Sequence, residues 1–185
     1  MAHIDPLLER NRSLAATGVH EGLTPIPRHQ LFVISCIDGR VDPTRILGLE
    51  LGDALVLRNA GGRVTDDVID EIAFIGHLTE RVFGAEAPSF EVAVIHHTAC
   101  GTGFLADDDF RRTYARRIGA DDAALAAQAV TDPAVSVRAD VERLRRSPLL
   151  PERATVSGHV YDVDTGLIRT LAPAETDQHS EGTVR

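Results

Sequence analysis

Three short, largely apolar runs occupy the first hundred residues of this chain, at positions 30–35, 54–57 and 91–95. Runs of this length without polar alternation are typical of β-strands that are buried on both faces, as in parallel sheets. Segments with helical spacing separate them, so strands and helices alternate along the chain. This pattern predicts an α/β fold, a single domain with a mainly parallel central β-sheet flanked by helices.

The other elements are predicted from helical periodicity and from turn residues. Helices are expected at residues 7–14, 43–49, 107–117, 121–129 and 133–146, and in the segment that Thr65 caps, which carries apolar residues up to Leu78. Strands are expected at 155–163 and 167–171, joined by a turn at 164–166. We therefore expect an N-terminal helical arm (1–27), an α/β domain (28–173) and a flexible tail (174–185).

Charge and hydropathy exclude several classes of function. The 185 residues include 19 basic and 28 acidic side chains, and the net charge of −9 disfavours a nucleic-acid partner. The longest apolar stretches are about 8 residues, and a membrane-spanning helix needs about 20. The first residues lack the basic start and apolar run of a signal peptide, which favours the cytoplasm, where thiols stay reduced.

The chain has only two cysteines, and each lies among polar residues just after a predicted strand. Cys36 begins the segment C-I-D-G-R (36–40), and Cys100 ends the segment H-T-A-C (97–100). Sites in α/β sheets form beyond the carboxyl ends of the strands, so the two segments are expected to meet there. Two thiolates and an imidazole suit zinc, and three protein ligands leave a fourth position for water, an aspartate or a substrate.

The spacing within each segment indicates which side chains face the site. On an extended chain, Cys36, Asp38 and Arg40 share one side. His97 is preferred over His96 because its three-residue spacing to Cys100 closes a turn, while consecutive residues face opposite sides; His96 stays open as the alternative ligand. Two simpler interpretations remain: the cysteines as small buried hydrophobic residues, and a single disulfide between them.

The motif C-x-D-x-R followed by H-x-x-C-G resembles the β-class carbonic anhydrases. The segments R-N-A-G (58–61), V-T-D-D (64–67), G-H-V-Y-D-V (158–163) and T-G (165–166) resemble that family too, so the likeness extends from about residue 28 to residue 172. It implies that residues 28–173 form a zinc-binding domain with Cys36, His97 and Cys100 as ligands and Asp38 and Arg40 as a catalytic dyad. The implied reaction is the reversible hydration of carbon dioxide to bicarbonate and a proton, in a homodimer or dimer-based oligomer.

The chain departs from the family pattern at two points. Ala99 stands where many relatives have aspartate, between the histidine and the cysteine. The chain has no tryptophan, so the tryptophan-containing inhibitory bicarbonate pocket of some relatives is not present in that form.

Asp38 has two possible roles next to a metal. Its carboxylate is able to accept a hydrogen bond from the attacking water, and Arg40 would keep it ionised, because a nearby cation lowers the pKa of a carboxyl group. Alternatively, Asp38 is a fourth metal ligand in a closed state. We expect such a state at low pH and an open one in alkaline conditions.

Three other functions share some of these features. A carbonyl sulfide or carbon disulfide hydrolase would use the same zinc site on the same scaffold. A non-catalytic zinc-binding module would keep Asp38 permanently on the metal. A nucleotide-binding domain would use N-A-G-G (59–62) before a helix, but the chain lacks both G-x-G-x-x-G and a phosphate-loop lysine.

Overall fold

The structure, a computed structural model, describes residues 2–174, and its centre is a five-stranded sheet. The strands are β1 (Leu31–Cys36), β2 (Ala54–Asn59), β3 (Phe90–His97), β4 (Ala154–Tyr161) and β5 (Ile168–Ala172). They lie in the order β2-β1-β3-β4-β5; the first four are parallel, and β5 runs antiparallel to β4. The predicted α/β class and mainly parallel sheet are therefore confirmed.

Six α-helices within residues 2–174 accompany the sheet: α1 (Asp5–Ala15), α2 (Pro43–Ile46), α3 (Asp66–Phe83), α4 (Asp108–Ile118), α5 (Asp122–Ala127) and α6 (Pro133–Arg145). Three elements end two or three residues earlier than predicted. Helix α2 stops at Ile46, not residue 49, because Gly48 adopts a left-handed conformation (φ +67°). Helix α5 stops at Ala127, not residue 129, and β4 stops at Tyr161, not residue 163.

The hydrophobic core lies between one face of the sheet and helices α3 and α6. Alternate residues of the strands point into it, because side chains on a strand alternate between the two faces. Its fully or nearly fully buried members include Ile34, Val92, Val94, Ile72, Val137 and Leu144. This packing fixes the parallel strands in register, so β1 and β3 end side by side.

Helix α1 buries none of its side chains, although it carries leucines. Leu7, Leu8 and Leu14 are 48%, 45% and 50% exposed. This helix lies within the predicted arm, whose boundary with the domain stays a prediction. The predicted tail falls outside the described residues, apart from residue 174. Within residues 2–174, no helix is both long enough and apolar enough to cross a membrane.

Candidate metal centre

Three predicted ligands meet where β1 and β3 end. One ligand atom from each of Cys36, His97 and Cys100 lies within 4.8 Å of the other two, and the two sulfurs are 4.0 Å apart. All three residues are buried, and neither cysteine forms a disulfide. Cys36 is the last residue of β1 and His97 the last of β3, so the sheet itself brings two of the ligands together.

The imidazole of His97 is arranged to offer a lone pair to a metal. Its Nδ1 lies 2.9 Å from the carbonyl oxygen of Thr98, an acceptor, so Nδ1 carries a proton and, in the neutral ring, Nε2 does not. Nε2 is the one buried side-chain nitrogen or oxygen in residues 2–174 without a hydrogen-bond partner. An unpartnered buried polar atom is costly, and a metal ion would satisfy it.

The environment of the two sulfurs stabilises one thiolate, at Cys100. Cys36 Sγ accepts hydrogen bonds from the backbone N–H groups of Gly61 (3.3 Å) and Asp38 (3.5 Å), and Thr102 Oγ1 lies 3.2 Å from Cys100 Sγ. The contact between the sulfurs lowers the pKa of Cys100 and raises that of Cys36, so the metal-free pair shares one proton. Two sulfurs and one imidazole nitrogen are a donor set that fits zinc.

Asp38 and Arg40 meet through a turn. The condition of an extended chain does not hold here, because residues 39–41 form a single 3₁₀ turn that Asp38 caps by accepting a hydrogen bond from the Arg40 backbone N–H (2.9 Å). The Arg40 guanidinium then donates to both carboxylate oxygens, at 3.0 and 2.7 Å. These side-chain and backbone hydrogen bonds from Arg40 hold the pKa of Asp38 well below its ordinary value.

Arg40 also joins the two polar segments of the site. Its Nη2 donates to the carbonyl oxygen of Ala99 at 3.0 Å, across 59 residues of sequence. The group of potential ligands does not include Asp38, whose two oxygens both accept hydrogen bonds from Arg40. The closed state with Asp38 as fourth ligand stays a prediction.

The turn between His97 and Cys100 depends on Ala99. This residue has φ +53°, in the left-handed region that costs a residue with a Cβ about 1 kcal/mol or more. Asparagine and aspartate enter that region more readily than alanine. The turn therefore carries backbone strain at the position where the sequence departs from the family pattern.

His96 lies on the opposite face of the sheet from His97, as strand alternation predicts. It is fully buried; its Nδ1 lies 2.8 Å from Ser136 Oγ, and its Nε2 lies 3.1 Å from the carbonyl oxygen of Gly62. With both ring nitrogens in hydrogen bonds, His96 belongs to the core behind the site.

Sequence reasoning missed two residues that contact the site. Thr102 contacts Cys100, but one threonine two positions after a cysteine forms no pattern. Arg58 enters the sequence argument only through family resemblance, yet its guanidinium donates to the carbonyl oxygens of Cys36 (2.8 Å) and Asp38 (2.7 Å). Arg58 thus fixes the backbone that carries Cys36, a predicted ligand, and the Asp38 carboxylate.

The glycine-rich segment after β2 packs against β1. Gly61 and Gly62 both have positive φ values, +85° and +66°. A Cβ on Gly62 would lie 3.0 Å from the backbone nitrogen of Cys36 and 3.0 Å from the carbonyl carbon of Ser35. Since the Gly61 N–H points at Cys36 Sγ, the segment supports the sulfur, and this use explains the glycines without a nucleotide.

A Gly62→Ala substitution is expected to lower the free energy of unfolding by about 2–4 kcal/mol, the sum of left-handed strain and steric overlap with β1. Gly48→Ala is the matched control, because Gly48 also has a positive φ (+67°), but a Cβ there would meet nothing within 4 Å. The free energy of unfolding of Gly48→Ala should fall by only about 1 kcal/mol, from strain alone. Denaturant unfolding measures both, and equal losses would contradict close packing at Gly62.

Comparison with known proteins agrees with this geometry. The family model described as carbonic anhydrase matches residues 31–168. Beta-carbonic anhydrase 1 of Mycobacterium tuberculosis is 32% identical over 158 residues, which cover 85% of this chain and 91% of that protein. A carbon disulfide hydrolase of Acidianus is 29% identical over 186 residues, covering 86% of this chain and 87% of that protein.

Solved structures of a carbonic anhydrase and of a carbon disulfide hydrolase also resemble this chain. The carbonic anhydrase of Streptococcus mutans superposes with a TM-score of 0.76 and 34% identity, over 92% of this chain and 98% of that one. The apo form of a carbon disulfide hydrolase superposes with a TM-score of 0.53 and 26% identity, over 99% and 98% of the two chains. With a family match that spans most of its length, this chain belongs to the β-class carbonic anhydrase family.

Proposed function

We propose that this protein catalyses the zinc-dependent, reversible hydration of carbon dioxide to bicarbonate and a proton. The observation that carries the proposal is the buried set of Cys36, His97 and Cys100, with an unpartnered Nε2, next to the Asp38–Arg40 pair. These three residues would hold the zinc ion, which supplies a Lewis acid that lowers the pKa of a coordinated water.

Asp38 would orient the attacking water. Because Arg40 holds its pKa low, the carboxylate stays ionised at neutral pH and is purely a hydrogen-bond acceptor. An oxygen of Asp38 that accepts a hydrogen bond from the water turns a lone pair of that water towards the carbon of carbon dioxide. Carbon dioxide and water then give bicarbonate and one proton, which passes to solvent buffer.

Arg40 would act by holding Asp38. Its two hydrogen bonds fix the plane of the carboxylate, and its bond to the Ala99 carbonyl ties that plane to the segment bearing His97 and Cys100. Such bidentate pairs supply geometric precision as well as charge. The carboxylate is thus pre-oriented relative to the ligands.

The surroundings of the ligands suit a small apolar substrate. Val41 and Val130 are buried and pack with Cys36 and Cys100 in one cluster, and Tyr161 lies partly buried against it. Carbon dioxide is linear and has no net dipole, so it would pack against these apolar side chains without losing strong hydrogen bonds. The same side chains would disfavour additional water molecules near the ligands.

The leading alternative is a carbonyl sulfide or carbon disulfide hydrolase. The similarity to carbon disulfide hydrolases supports it, and their named substrate is also small, linear and electrophilic at carbon. A non-catalytic zinc-binding module is less well supported, because a purely structural site has no use for the Asp38–Arg40 pair. We also propose a cytoplasmic location, where the two free thiols would stay reduced for metal binding.

Metal analysis combined with three rate measurements tests the function. We expect one zinc per chain, and stopped-flow carbon dioxide hydration that greatly exceeds hydrogen sulfide release from carbonyl sulfide or carbon disulfide. Faster hydrogen sulfide release would establish the alternative hydrolase. A zinc-loaded protein that is inactive on all three substrates would support the non-catalytic module.

The pH profile tests the proposed closed state. Carbon dioxide hydration is expected to rise from about pH 6 to pH 9, a range in which the low pKa keeps Asp38 ionised throughout. Protonation of Asp38 therefore would not cause the loss at lower pH, which leaves two causes: competition by its carboxylate for the metal, and protonation of the attacking water. A flat profile over this range would refute the closed state.

We also propose that the protein is a homodimer or a dimer-based oligomer. Two apolar surfaces support an association of copies: the exposed leucines of α1, and a cavity of about 300 Å³ near the start of β1 and β3. Apolar side chains that line this cavity include Leu31, Phe32, Leu55, Ile75, Leu78 and Val82. Large exposed apolar patches commonly mark protein–protein contacts.

A variant with both Leu7→Asp and Leu8→Asp is expected to lose this association. The wild-type protein should show a mass of at least twice its 20.0 kDa chain by light scattering, and the variant should approach 20.0 kDa. Arg10→Ala on the same exposed helix is the control and should keep the wild-type mass. A monomeric wild-type protein would disprove the proposed oligomer.

A further inference from the structure

A buried polar network lies behind the metal centre, on the face of the sheet that packs against α6. Its centre is Asp140 of α6, which is only 2% exposed. The carboxylate accepts hydrogen bonds from Arg63 Nε (2.7 Å), Arg63 Nη2 (3.0 Å) and the Val64 backbone N–H (3.1 Å), and His96 Nε2 lies 3.2 Å away. One buried carboxylate therefore satisfies donors from two separate segments of the chain.

The first of these segments, residues 63–64, is continuous with the glycines that contact Cys36, a proposed ligand. Arg63 and Val64 directly follow Gly61 and Gly62, and the Gly61 N–H donates to Cys36 Sγ at 3.3 Å. The hydrogen bonds of Arg63 and Val64 to Asp140 anchor residues 61–64 to helix α6. Any shift in it would move the Gly61 donor away from the sulfur.

The second segment is the end of β3, whose last residue, His97, is another proposed ligand. His96 precedes His97 in β3, and its Nε2 contacts both Asp140 and the Gly62 carbonyl oxygen. Its Nδ1 contacts Ser136, one turn before Asp140 on α6. His96 thus cross-links the helix, the end of β3 and the glycine segment.

We infer that Asp140 is a positioning residue for the metal centre, which holds the glycine segment and the end of β3 so that Cys36 and His97 are preorganised for the ion. The inference rests on the metal site of the proposed function. Removal of one partner from a buried charged network leaves the others uncompensated, and outer contacts of metal ligands commonly affect metal affinity.

The test compares Asp140→Asn with Asp53→Asn. Asp53 is a matched control: it is 7% exposed and accepts hydrogen bonds from Arg28 (2.8 Å) and the Glu50 backbone N–H (2.7 Å). It lies just before β2, at the amino ends of the parallel strands, whereas the metal centre lies at their carboxyl ends. We expect Asp140→Asn to release zinc to a chelator about 10-fold faster or more, and to change the visible absorption bands of the cobalt-substituted protein. Asp53→Asn should match the wild type in both, even where its thermal stability falls equally.

Arg63→Lys is a gentler second variant, which keeps a cation but removes the two-point hydrogen bond to Asp140. It should change zinc release and the cobalt spectrum in the same direction by a smaller factor, and it decides the question if Asp140→Asn does not fold. Wild-type release and spectra in folded variants would overturn the positioning role. A wild-type protein that binds zinc but hydrates no carbon dioxide would refute the proposed function alone, whereas failure to bind zinc or cobalt would refute both.

Discussion

An Asp38→Asn variant is expected to keep its zinc and to lose about 100- to 10,000-fold of kcat/KM for carbon dioxide hydration, a typical range for removal of an acid–base group. The asparagine side chain has a similar shape, but its NH₂ group donates where the carboxylate accepts. It also carries no charge to pair with Arg40. The ligand atoms of Cys36, His97 and Cys100 are unchanged, so zinc content should stay at the wild-type level.

Asp121→Asn is the control for this prediction. Asp121 caps α5 by accepting a hydrogen bond from the Ala124 N–H (2.8 Å), a role that asparagine fills equally well. Its activity should therefore stay close to that of the wild type. Loss of zinc from Asp38→Asn would instead make Asp38 a primary ligand, and full activity would remove it from the reaction.

A Cys100→Ser variant is expected to bind zinc at least about 100-fold more weakly, since even outer contacts of metal ligands change affinity by about 10- to 100-fold. A serine hydroxyl is neutral at pH 7 and is a poor ligand for zinc compared with a thiolate. The remaining set would hold one thiolate and one imidazole.

Competition with a chromophoric chelator measures this affinity. Val130→Thr serves as the control, because Val130 is 3% exposed in the same cluster as Cys36 and Cys100 and the change adds a hydroxyl but replaces no ligand atom. It should lose stability but keep its zinc affinity within about 10-fold, the lower limit for groups that contact ligands. Unchanged zinc binding by Cys100→Ser would exclude Cys100 from the ligand set.

The architecture was predictable because its signals are local in sequence. Apolar runs identified β1, β2 and β3, and Thr65 marked the start of α3 as a residue type that caps helices. In the structure its hydroxyl accepts a hydrogen bond from the Val68 N–H (3.4 Å). Element ends were less predictable, since they depend on single residues such as Gly48. Parallel strands that end at one edge then place Cys36 beside the segment of His97 and Cys100, whatever the details of the loops.

The sequence by itself determined the donor types, the strand ends that carry them and the choice of His97 over His96, because all three follow from residue identity and strand alternation. Only the tertiary structure decided how Arg40 reaches Asp38, since that contact comes from a turn and not from an extended chain. Tertiary structure also decided the contacts of Thr102 with Cys100 and of Asp140 with Arg63, the latter across 77 residues. The contact of Asp140 with Arg63 arises when helix and sheet pack together, and a single polar residue in a helix gives no local pattern that indicates its distant partner.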